Sequence, residues 1–598
     1  MTRTFDLDAE LAAGREAPKR TVERERTQAG AELARALDQK PASGKTPSPK
    51  AVGLLRRAMK TVDTDEAGAA QAARLCLKAL DIEPDWALAN HAMAVALDRL
   101  GRLGAALNFY QRAYALDPTD AELYMNLGLA AWKLDMLEAA EKFLRLFHKL
   151  APTHPGAVIN LAGLLRDLNR YEDSIEILRA AIYADPDRAE LWNALGTSVL
   201  ESGDPEGSEV FYLEALRLNP GFARSHHNLG FAYDMAGRPD EAAELFARGA
   251  ELTDRHVDRI TMVHARSLAL LAAGRLDEGW EAYESRLDRF YKQATEFLID
   301  APRWDGVDPA ELRGKRVLAV GEQGLGDEVA FASLVPDLVK AAGPEGSVTL
   351  ATEKRLAPLF QRSFPGVEVL LHKTVKREGR VFRVTEDLAG GPPEIWLPIA
   401  TAHRAFRRTP DAFPTTSHIK ADPARVAALH EQLAALGPGP KVGLLWKSLK
   451  MNANRSKYFA AFEAWRPVIE TPGVTFVNLQ YGDVDAELEQ VRKATGVQIA
   501  QIEGLDLKAD LDGVAALGVA LDLTIGPMNA STNLSAGAGG NTWIVHGQPA
   551  PWTLFGTGEV KWYPASRSFK AERFGAWDGL LKTVAAELAA FAKARAAA

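Results

Sequence analysis

Residues 316–338 read RVLAVGEQGLGDEVAFASLVPDL, and this stretch decides the fold of the second half of the chain. The apolar run Val317–Val320 predicts a short strand buried on both faces, as in a parallel sheet. Glycines then allow a tight turn, and an amphipathic pattern predicts a helix that begins near Asp327. The glycines are Gly321, Gly324 and Gly326. The sequence therefore predicts a strand, a loop and a helix in the order that builds α/β folds.

The glycine-containing loop carries acidic rather than basic residues. No Lys-Ser/Thr pair follows its glycines, so it is not a Walker loop, and its G-x-x-G-x-G spacing differs from the dinucleotide fingerprint. Glu322, Asp327 and Glu328 make it a poor phosphate site but a suitable place for a carboxylate that accepts a proton. We interpret the segment as an acceptor-side catalytic loop. The alternative is that Asp327 only caps the helix.

The composition is that of an ordinary globular protein with several domains. A length of 598 residues predicts two to four domains, and the formal net charge of −8 argues against nucleic-acid binding. No apolar run reaches the roughly 20 residues that span a bilayer, and the first ten residues lack the pattern of a signal peptide. The single cysteine, Cys76, falls in a helical repeat, where a core position is expected. These features favour a cytoplasmic protein.

The first half of the chain is repetitive. Residues 1–50 end in a Pro- and Ser-rich segment and predict a flexible tail. From residue 51, small residues recur where paired helices must approach closely, as at Gly128 and Ala140, and large apolar residues such as Leu144 follow them. A proline marks each 34-residue period, at Pro84, Pro118, Pro152, Pro186 and Pro220. This tetratricopeptide (TPR) pattern predicts an all-α superhelix with a concave groove over residues 51–295.

After residue 306 the pattern alternates between strands and helices, which predicts parallel sheets covered by helices. A Gly- and Pro-rich break at 435–440 divides the region into halves at 312–436 and 437–598, the second closed by a helix at about 572–596. We expect two Rossmann-like halves facing each other across a cleft lined by the carboxyl ends of strands. The predicted strands span 317–320, 347–351, 367–371, 394–397, 442–446, 475–479, 521–525 and 542–545.

Two loops of the second half carry side chains that suit a phosphate-bearing ligand. Residues 447–457 contain four cations, which can neutralise a diphosphate or a phosphate-carboxylate leaving group. Residues 526–540 open a helix of small residues, whose free N–H groups form an anion site. The alternatives are a solvated basic surface for the first loop and a simple helix cap for the second.

These segments together resemble one group of enzymes. The motifs GEQGLGDE with FASLVP, VGLLWKS with NRSKYF, and VNLQYGD are similar to those of bacterial TPR glycosyltransferases of the two-domain GT-B fold, related to heptosyltransferases and O-GlcNAc transferase. The resemblance covers residues 51–590. With MNASTNLSAGAGG in the donor loop, the chain resembles alphaproteobacterial flagellin O-glycosyltransferases. That implies transfer of a CMP-activated nonulosonic acid, such as pseudaminic acid, to flagellin, and a place in flagellum assembly and motility.

The resemblance also implies roles for particular residues. Asp327 matches the base of heptosyltransferases, and Glu328 and Glu322 are second choices. No cofactor is expected beyond the nucleotide-sugar, and the chain lacks a His/Cys cluster or D-x-D pattern where a metal would be needed, so transfer would be metal-independent with inversion. The implied donor-binding residues are Lys447, Ser448, Asn454, Arg455, Lys457, Gln480, Asn529, Ser531, Thr532 and Asn533.

The donor loop departs from the heptosyltransferase pattern at three positions. Met528, Asn529 and Asn533 stand where those enzymes have an Asp-Thr pair and a His. The departure argues against an ADP-heptose donor and favours a different nucleotide-sugar. It also leaves open a weakened transferase.

Asparagines recur in the first helices of the repeats. Asn126, Asn160 and Asn228 occupy the same repeat position, and Asn193 lies one residue out of step. An amide both donates and accepts hydrogen bonds, so a row of them can hold a peptide backbone. The row is similar to the asparagine ladder of O-GlcNAc transferase, which implies that these residues bind a protein acceptor. The alternative is that each asparagine ties one repeat to the next.

The sequence thus predicts a cytoplasmic protein O-glycosyltransferase whose repeats bind its acceptor. A non-catalytic adaptor or chaperone with a vestigial transferase half is the alternative from another class, and nucleotide-sugar turnover separates the two. An enzyme that builds a polysaccharide or lipid-linked glycan keeps the chemistry but does not explain the long repeat array at residues 51–295.

Overall fold

The computed structural model describes Leu7 and residues 47–377, 380–385, 388, 390–448, 455 and 457–597. These residues form two compact units, one ending at Ser202 and the other beginning at Gly203. The predicted tail at 1–50 lies outside the described residues, apart from Leu7 and residues 47–50. In the described part of the chain, no helix has the length and apolar character needed to cross a bilayer.

The first unit consists of successive paired helices, as the TPR pattern predicts. The repeat prolines stand two residues beyond the second helix of each pair, because proline cannot continue a helix. A Cβ at Gly128 would lie 2.7 Å from Cγ of Leu144, so the predicted close approach of the two helices is confirmed. The helices are α1 (Pro49–Thr61), α2 (Glu66–Ile82), α3 (Ala87–Arg99), α4 (Leu103–Leu116), α5 (Ala121–Lys133), α6 (Leu137–Leu150), α7 (Pro155–Asp167), α8 (Tyr171–Ala184) and α9 (Ala189–Glu201).

The second unit begins with further repeat helices and continues into the α/β region. A Cβ at Gly230 would lie 2.9 Å from Cε1 of Phe246, so the same close approach recurs here. The predicted fold class is therefore confirmed: helical repeats from 49 to 283, then an α/β region. The repeat helices of this unit are α10 (Pro205–Leu218), α11 (Ala223–Met235), α12 (Pro239–Leu252), α13 (His256–Ala272) and α14 (Leu276–Tyr283).

The described residues of the α/β region form two sheets, with strand orders β1-β5-β4-β3-β2-β6 and β11-β10-β9-β7-β8. Every ladder is parallel except the antiparallel β4–β5 pair. The predicted strands are all confirmed, whereas β1, β5 and β11 were missed because each is short or interrupted by charged residues. The strands are β1 (Thr295–Phe297), β2 (Arg316–Val320), β3 (Ser347–Thr352), β4 (Glu368–Arg377), β5 (Arg380–Thr385), β6 (Ile395–Pro398), β7 (Lys441–Leu444), β8 (Thr475–Asn478), β9 (Leu523–Pro527), β10 (Thr542–His546) and β11 (Ser566–Lys570).

Helices cover both sheets. The last of them, α24, agrees with the predicted closing helix, and the Gly- and Pro-rich break joins α19 to β7. Although α19 precedes the break, it packs on α22 of the second half and joins it through an Arg425–Asp510 ion pair. The helices are α15 (Leu325–Phe331), α16 (Val335–Ala342), α17 (Ala357–Ser363), α18 (His403–Phe406), α19 (Pro423–Ala434), α20 (Arg466–Ile469), α21 (Asp485–Thr495), α22 (Leu511–Ala520), α23 (Ala530–Gly537) and α24 (Trp577–Ala597).

The last repeat shares a hydrophobic core with the α/β region. Trp280 and Tyr283 of α14 belong to the same buried cluster as Val317 of β2 and Phe555 and Trp562 of the second half. Trp280 also stacks on His403, with ring centroids 4.0 Å apart. The compact units divide the chain inside the repeats, so the last repeats and the α/β region belong to one unit.

Candidate active site

One cavity lies between the two halves of the α/β region. Its volume is about 540 Å³. Gly324, Gly326 and Asp327 at the start of α15 form its first wall. The second wall consists of segments that follow β7, β9 and β10. These are carboxyl ends of parallel strands, where α/β folds bind ligands. The cavity therefore occupies the place that the sequence predicts for the cleft.

Asp327 is the third residue of α15, and it lines the cavity. Its Oδ2 accepts a hydrogen bond of 3.0 Å from the Gly324 N–H, so it caps the helix and faces the cavity at once. Burial raises the pKa of Asp327 to about 6; the Gly324 hydrogen bond opposes this rise, and the charges of Glu322 and Glu328 add to it. A carboxylate with this pKa can take up a proton near neutral pH.

The two other acids of the loop are engaged elsewhere. Glu328 is 3% exposed; its Oε2 accepts hydrogen bonds from the Thr352 hydroxyl at 2.7 Å and the Glu353 N–H at 3.1 Å, and its Oε1 lies 2.9 Å from His372 Nε2. Burial alone would raise the pKa of Glu328, but the His372 contact and the charge of Arg383 hold it below its usual value. The geometry thus gives Glu328 a structural place instead of the predicted catalytic one.

Glu322 belongs to a second buried network. Its carboxylate accepts two hydrogen bonds from Arg286, at 2.8 and 2.9 Å, and one from the Ala400 N–H at 2.8 Å. Arg286 follows the last repeat helix, so this ion pair joins the repeats to the glycine loop. Neither Glu322 nor Glu328 is among the described residues that line the cavity.

Arg383 holds the shape of the glycine loop, and sequence reasoning missed it. One guanidinium N–H donates to the carbonyl of Gly321, and another donates to the carbonyl of Gln323 at 2.9 Å. Gln323 has a φ of 61°, a left-handed conformation that costs free energy in a residue with a side chain. Arg383 lies on β5, so the strand that the sequence did not reveal carries the residue that fixes this backbone.

Residues 447–457, the first of the two predicted donor loops, contribute fewer residues to the cavity than predicted. Ser448 and Arg455 line it. Lys447 instead places its Nζ 2.6 Å from Oε1 of Glu487 on α21, and its N–H donates to Gln480 Oε1 at 2.9 Å. Gln480 is 1% exposed, and it fixes the end of β7. Lys457 lies 5.7 Å from the ring centroid of Phe231. The predicted donor residue Asn454 lies outside the described residues.

In residues 526–540, the second predicted donor loop, some side chains cap helix α23 and others line the cavity. Asn529 caps α23, its Oδ1 accepting hydrogen bonds from the N–H groups of Ser531 and Thr532. The Thr532 hydroxyl donates to the Pro527 carbonyl at 2.8 Å, and Thr532 and Ser531 are both buried. Asn533 donates to the Gly326 carbonyl at 2.9 Å, which joins the two cavity walls directly. Asn529 and Asn533 line the cavity.

Three polar atoms on the second wall have no hydrogen-bond partner among the described residues. They are Asn529 Nδ2, Asn533 Oδ1 and Nε2 of His546, which ends β10. Burial lowers the pKa of His546 to about 4, and the charge of Lys570 adds to this effect, so the imidazole is neutral at pH 7. Buried polar atoms in proteins are nearly always paired, so these atoms indicate a polar ligand. Sequence reasoning predicted the strand but overlooked the histidine at its end.

Asn126 in the repeats ties one repeat to another. Its Nδ2 lies 2.9 Å from Nε2 of His91, whose Nδ1 lies 2.9 Å from Oδ2 of Asp120, the N-cap of α5. For Asn126, this contact agrees with the alternative interpretation, in which each asparagine ties one repeat to the next. Asn160 and Asn193 are buried as well, whereas Asn228 is half-buried.

The fold and the site define a TPR protein with a two-sheet α/β region and a polar cavity between its halves. Family models described as tetratricopeptide or TPR repeats match residues 99–135, 121–154, 159–221 and 211–244. The chain is 44% identical to protein FlbA of Caulobacter vibrioides over 540 residues, which cover 90% of each chain. The chain therefore belongs to the FlbA family.

Two more distant similarities concern parts of the chain. The protein O-mannosyl-transferase TMTC3 of Homo sapiens is 27% identical over 198 residues, 30% of this chain and 22% of that protein. The crystal structure of YrrB, described as a TPR protein with an unusual peptide-binding site, covers 32% of this chain and 97% of its own at 19% identity, with a TM-score of 0.24.

Proposed function

We propose that the protein is a glycosyltransferase that moves a sugar from a nucleotide-sugar to a Ser or Thr hydroxyl of a protein acceptor. One observation carries the proposal. One cavity places the Asp327 carboxylate, whose pKa is raised, opposite a wall that carries Arg455 and the amide and imidazole atoms without a partner in the described part of the chain. A base on one side and anion-binding groups on the other are what transfer between a hydroxyl and a nucleotide-sugar requires.

Each group has one step in the proposed reaction. The acceptor oxygen attacks the anomeric carbon and forms the new glycosidic bond while its proton passes to the Asp327 carboxylate. The bond between the anomeric carbon and the phosphate oxygen breaks, and the nucleotide leaves with the electron pair. Arg455, the N-terminus of α23 and the Asn529 amide stabilise the charge on that phosphate. Attack from the face opposite the leaving group inverts the anomeric configuration.

The donor and acceptor follow from the resemblance of the sequence motifs. The motifs favour a CMP-linked nonulosonic acid such as pseudaminic acid as donor, flagellin as acceptor and reaction in the cytoplasm. TPR proteins commonly bind other proteins, and the name of the relative TMTC3 describes a protein O-mannosyl-transferase. We assign acceptor binding to the repeats. Asn228 is half-buried whereas Asn126, Asn160 and Asn193 are buried, so Asn228 is the most accessible of the four for contact with an acceptor backbone.

The experiment that tests the function is mass spectrometry of flagellin, and of the whole proteome, from cells with and without this chain. The expected result is a sugar mass on Ser or Thr residues that disappears without the chain and returns with the wild type but not with Asp327→Asn. Unchanged glycosylation in all proteins would contradict the proposal.

A non-catalytic adaptor is the second candidate, and the contact of Lys447 with Glu487 favours it, because it removes a predicted cation from the cavity. Calorimetry with CMP, UDP, GDP and ADP separates the candidates. Binding of one nucleotide in the micromolar range supports the transferase, and binding of none supports the adaptor.

A further inference from the structure

In five successive repeats, the second residue after the first helix adopts a left-handed conformation. Gly101, Asp135, Asn169, Gly203 and Gly237 stand 34 residues apart, with φ values of 72°, 66°, 58°, 102° and 80°. Asp and Asn are the residues with side chains that enter this conformation most readily. Their presence at two of the positions shows that the repeat itself does not require glycine there.

Gly237 has a further reason to be glycine. A Cβ at this position would lie 2.8 Å from Cγ and 2.9 Å from Cβ of Pro549. At the equivalent position of the preceding repeat, a Cβ on Gly203 would meet no atom within 4 Å. Residues 547–556, which we call the cavity loop, therefore rest on the turn after α11.

The next repeat supports the same loop. A Cβ at Gly274, which follows α13, would lie 3.0 Å from the carbonyl oxygen of Phe555. On the other side, a Cβ at Gly556 would lie 3.2 Å from the carbonyl carbon of Ala273. Two consecutive repeat turns thus contact the cavity loop, the first against the ring of Pro549 and the second with backbone against backbone. A side chain at Gly237 or Gly274 would separate the turn from the loop.

The cavity loop follows β10 and forms part of the second wall through Gly547, Gln548 and Trp552. A second part of that wall also contacts the repeats. Lys457 lies over the ring of Phe231 on α11, and its neighbour Tyr458 lines the cavity. One repeat helix and its turn therefore contact two segments of the wall that faces Asp327.

We propose that the repeats of the second unit are part of the transfer site, with Gly237, Gly274 and Phe231 as positioning residues that hold the second cavity wall. These residues act through the cavity loop and through Lys457 and Tyr458, and they touch no substrate themselves. Asn228 precedes Phe231 by about one helical turn on α11. A protein acceptor held at Asn228 would therefore lie beside the same helix that positions the donor wall. This last link depends on the function proposed above, but the support of the cavity loop does not.

Gly237→Asn in the full-length protein tests the proposal, with Gly203→Asn as the matched control. Both variants put the same side chain into a left-handed turn, and only the first meets Pro549. Hydrogen exchange of residues 547–556 should become at least about tenfold faster in Gly237→Asn, equivalent to roughly 1.4 kcal/mol, and stay as in the wild type in Gly203→Asn. Phe231→Leu should instead speed exchange at residues 457–460.

Nucleotide binding then connects the cavity wall to function. Calorimetry with CMP should show weaker binding in Gly237→Asn than in Gly203→Asn, by about the same tenfold factor. Equal exchange of residues 547–556 in the two variants would overturn the proposal. If exchange in the cavity loop responds but no nucleotide binds even to the wild type, the support by the repeats holds and the transferase assignment fails.

Discussion

The two walls of the cavity share one backbone arrangement, a helix start that is capped by a side chain, but they present different chemical groups. Helices α15 and α23 each follow a parallel strand, and a side chain completes the start of each: Asp327 accepts a hydrogen bond from Gly324, and Asn529 accepts one from Ser531. The first wall thereby presents a carboxylate that can take a proton. The second presents Arg455 together with amide and imidazole atoms that have no hydrogen-bond partner among the described residues. A helix cap and a functional group are therefore not alternatives at either position, because one oxygen can cap while the rest of the side chain faces the cavity.

Exchanging the two caps tests this comparison with the largest expected effect. Asn and Asp cap helices almost equally well, so Asp327→Asn and Asn529→Asp should both fold. Asp327→Asn should lower transfer by about 100-fold or more, because the base is lost. Asn529→Asp should instead weaken nucleotide binding, because it places a negative charge beside the phosphate. Transfer assays and calorimetry on both variants provide the measurement.

The stability of Asp327→Asn is the control for that experiment. The folded chain raises the pKa of Asp327 from 3.8 to about 6, so it binds more protons than the unfolded chain between these values. Ionisation of this group therefore lowers the free energy of unfolding as the pH rises from about 4 through 6. Removing the charge should leave the melting temperature at pH 7 unchanged or higher. Full transfer activity in the variant would remove Asp327 from the mechanism.

Arg455 and Lys447, two cations predicted to bind the donor, should differ in how much they contribute to nucleotide binding. Arg455→Ala should weaken nucleotide binding about 10- to 100-fold, because it removes a charge-assisted contact of roughly 1.5–3 kcal/mol. Lys447→Ala should change it by less than about threefold, since its ammonium group is directed to Glu487 and not to the cavity. Calorimetry with the same nucleotide measures both. An equal loss in the two variants would show that Lys447 leaves Glu487 when the donor binds.

The pH dependence of transfer follows from the first wall alone. With a pKa of about 6 for Asp327, the rate should be level at pH 7 to 8 and fall about tenfold for each pH unit well below 6. His546 has a pKa of about 4, so its ionisation should add a further change only near that pH. A profile of kcat/KM against pH checks the prediction, and a level profile down to pH 5 would contradict it.

The smallest effect on nucleotide binding is expected at Thr532, whose hydroxyl only stabilises the start of α23. Thr532→Val removes the hydroxyl that accepts from the Asn529 N–H and donates to the Pro527 carbonyl. The free energy of unfolding should fall by about 1–2 kcal/mol in Thr532→Val, whereas Thr532→Ser, which keeps the hydroxyl, should lose much less. Nucleotide binding should stay within about twofold of the wild type in both. A large loss of binding in Thr532→Val with normal stability would return Thr532 to the donor site, where the sequence had placed it.

The sequence predicted the cavity better than it predicted the side chains that enter it. Asp327, Ser448, Arg455, Asn529 and Asn533 line it as expected. Lys447 and Thr532 were grouped with them because they lie in the same two loops, and Gln480 because it lies in the VNLQYGD motif, but each side chain contacts a protein partner instead. His546 and Arg383 were not found, because a single histidine or arginine near a strand has no periodic signal.

The sequence by itself determined the features that depend on neighbours along the chain. The 34-residue period, the apolar strand runs and the glycine turn are local patterns, and each produced the element that it predicts. Only the tertiary structure decided which acid of the glycine loop is available. Glu322 meets Arg286 from 36 residues away, Glu328 meets His372 from 44 residues away, and Asp327 is left facing the cavity. Burial makes unpaired charges costly, so the distant partners brought by folding, and not the loop sequence, assign the three carboxylates their roles.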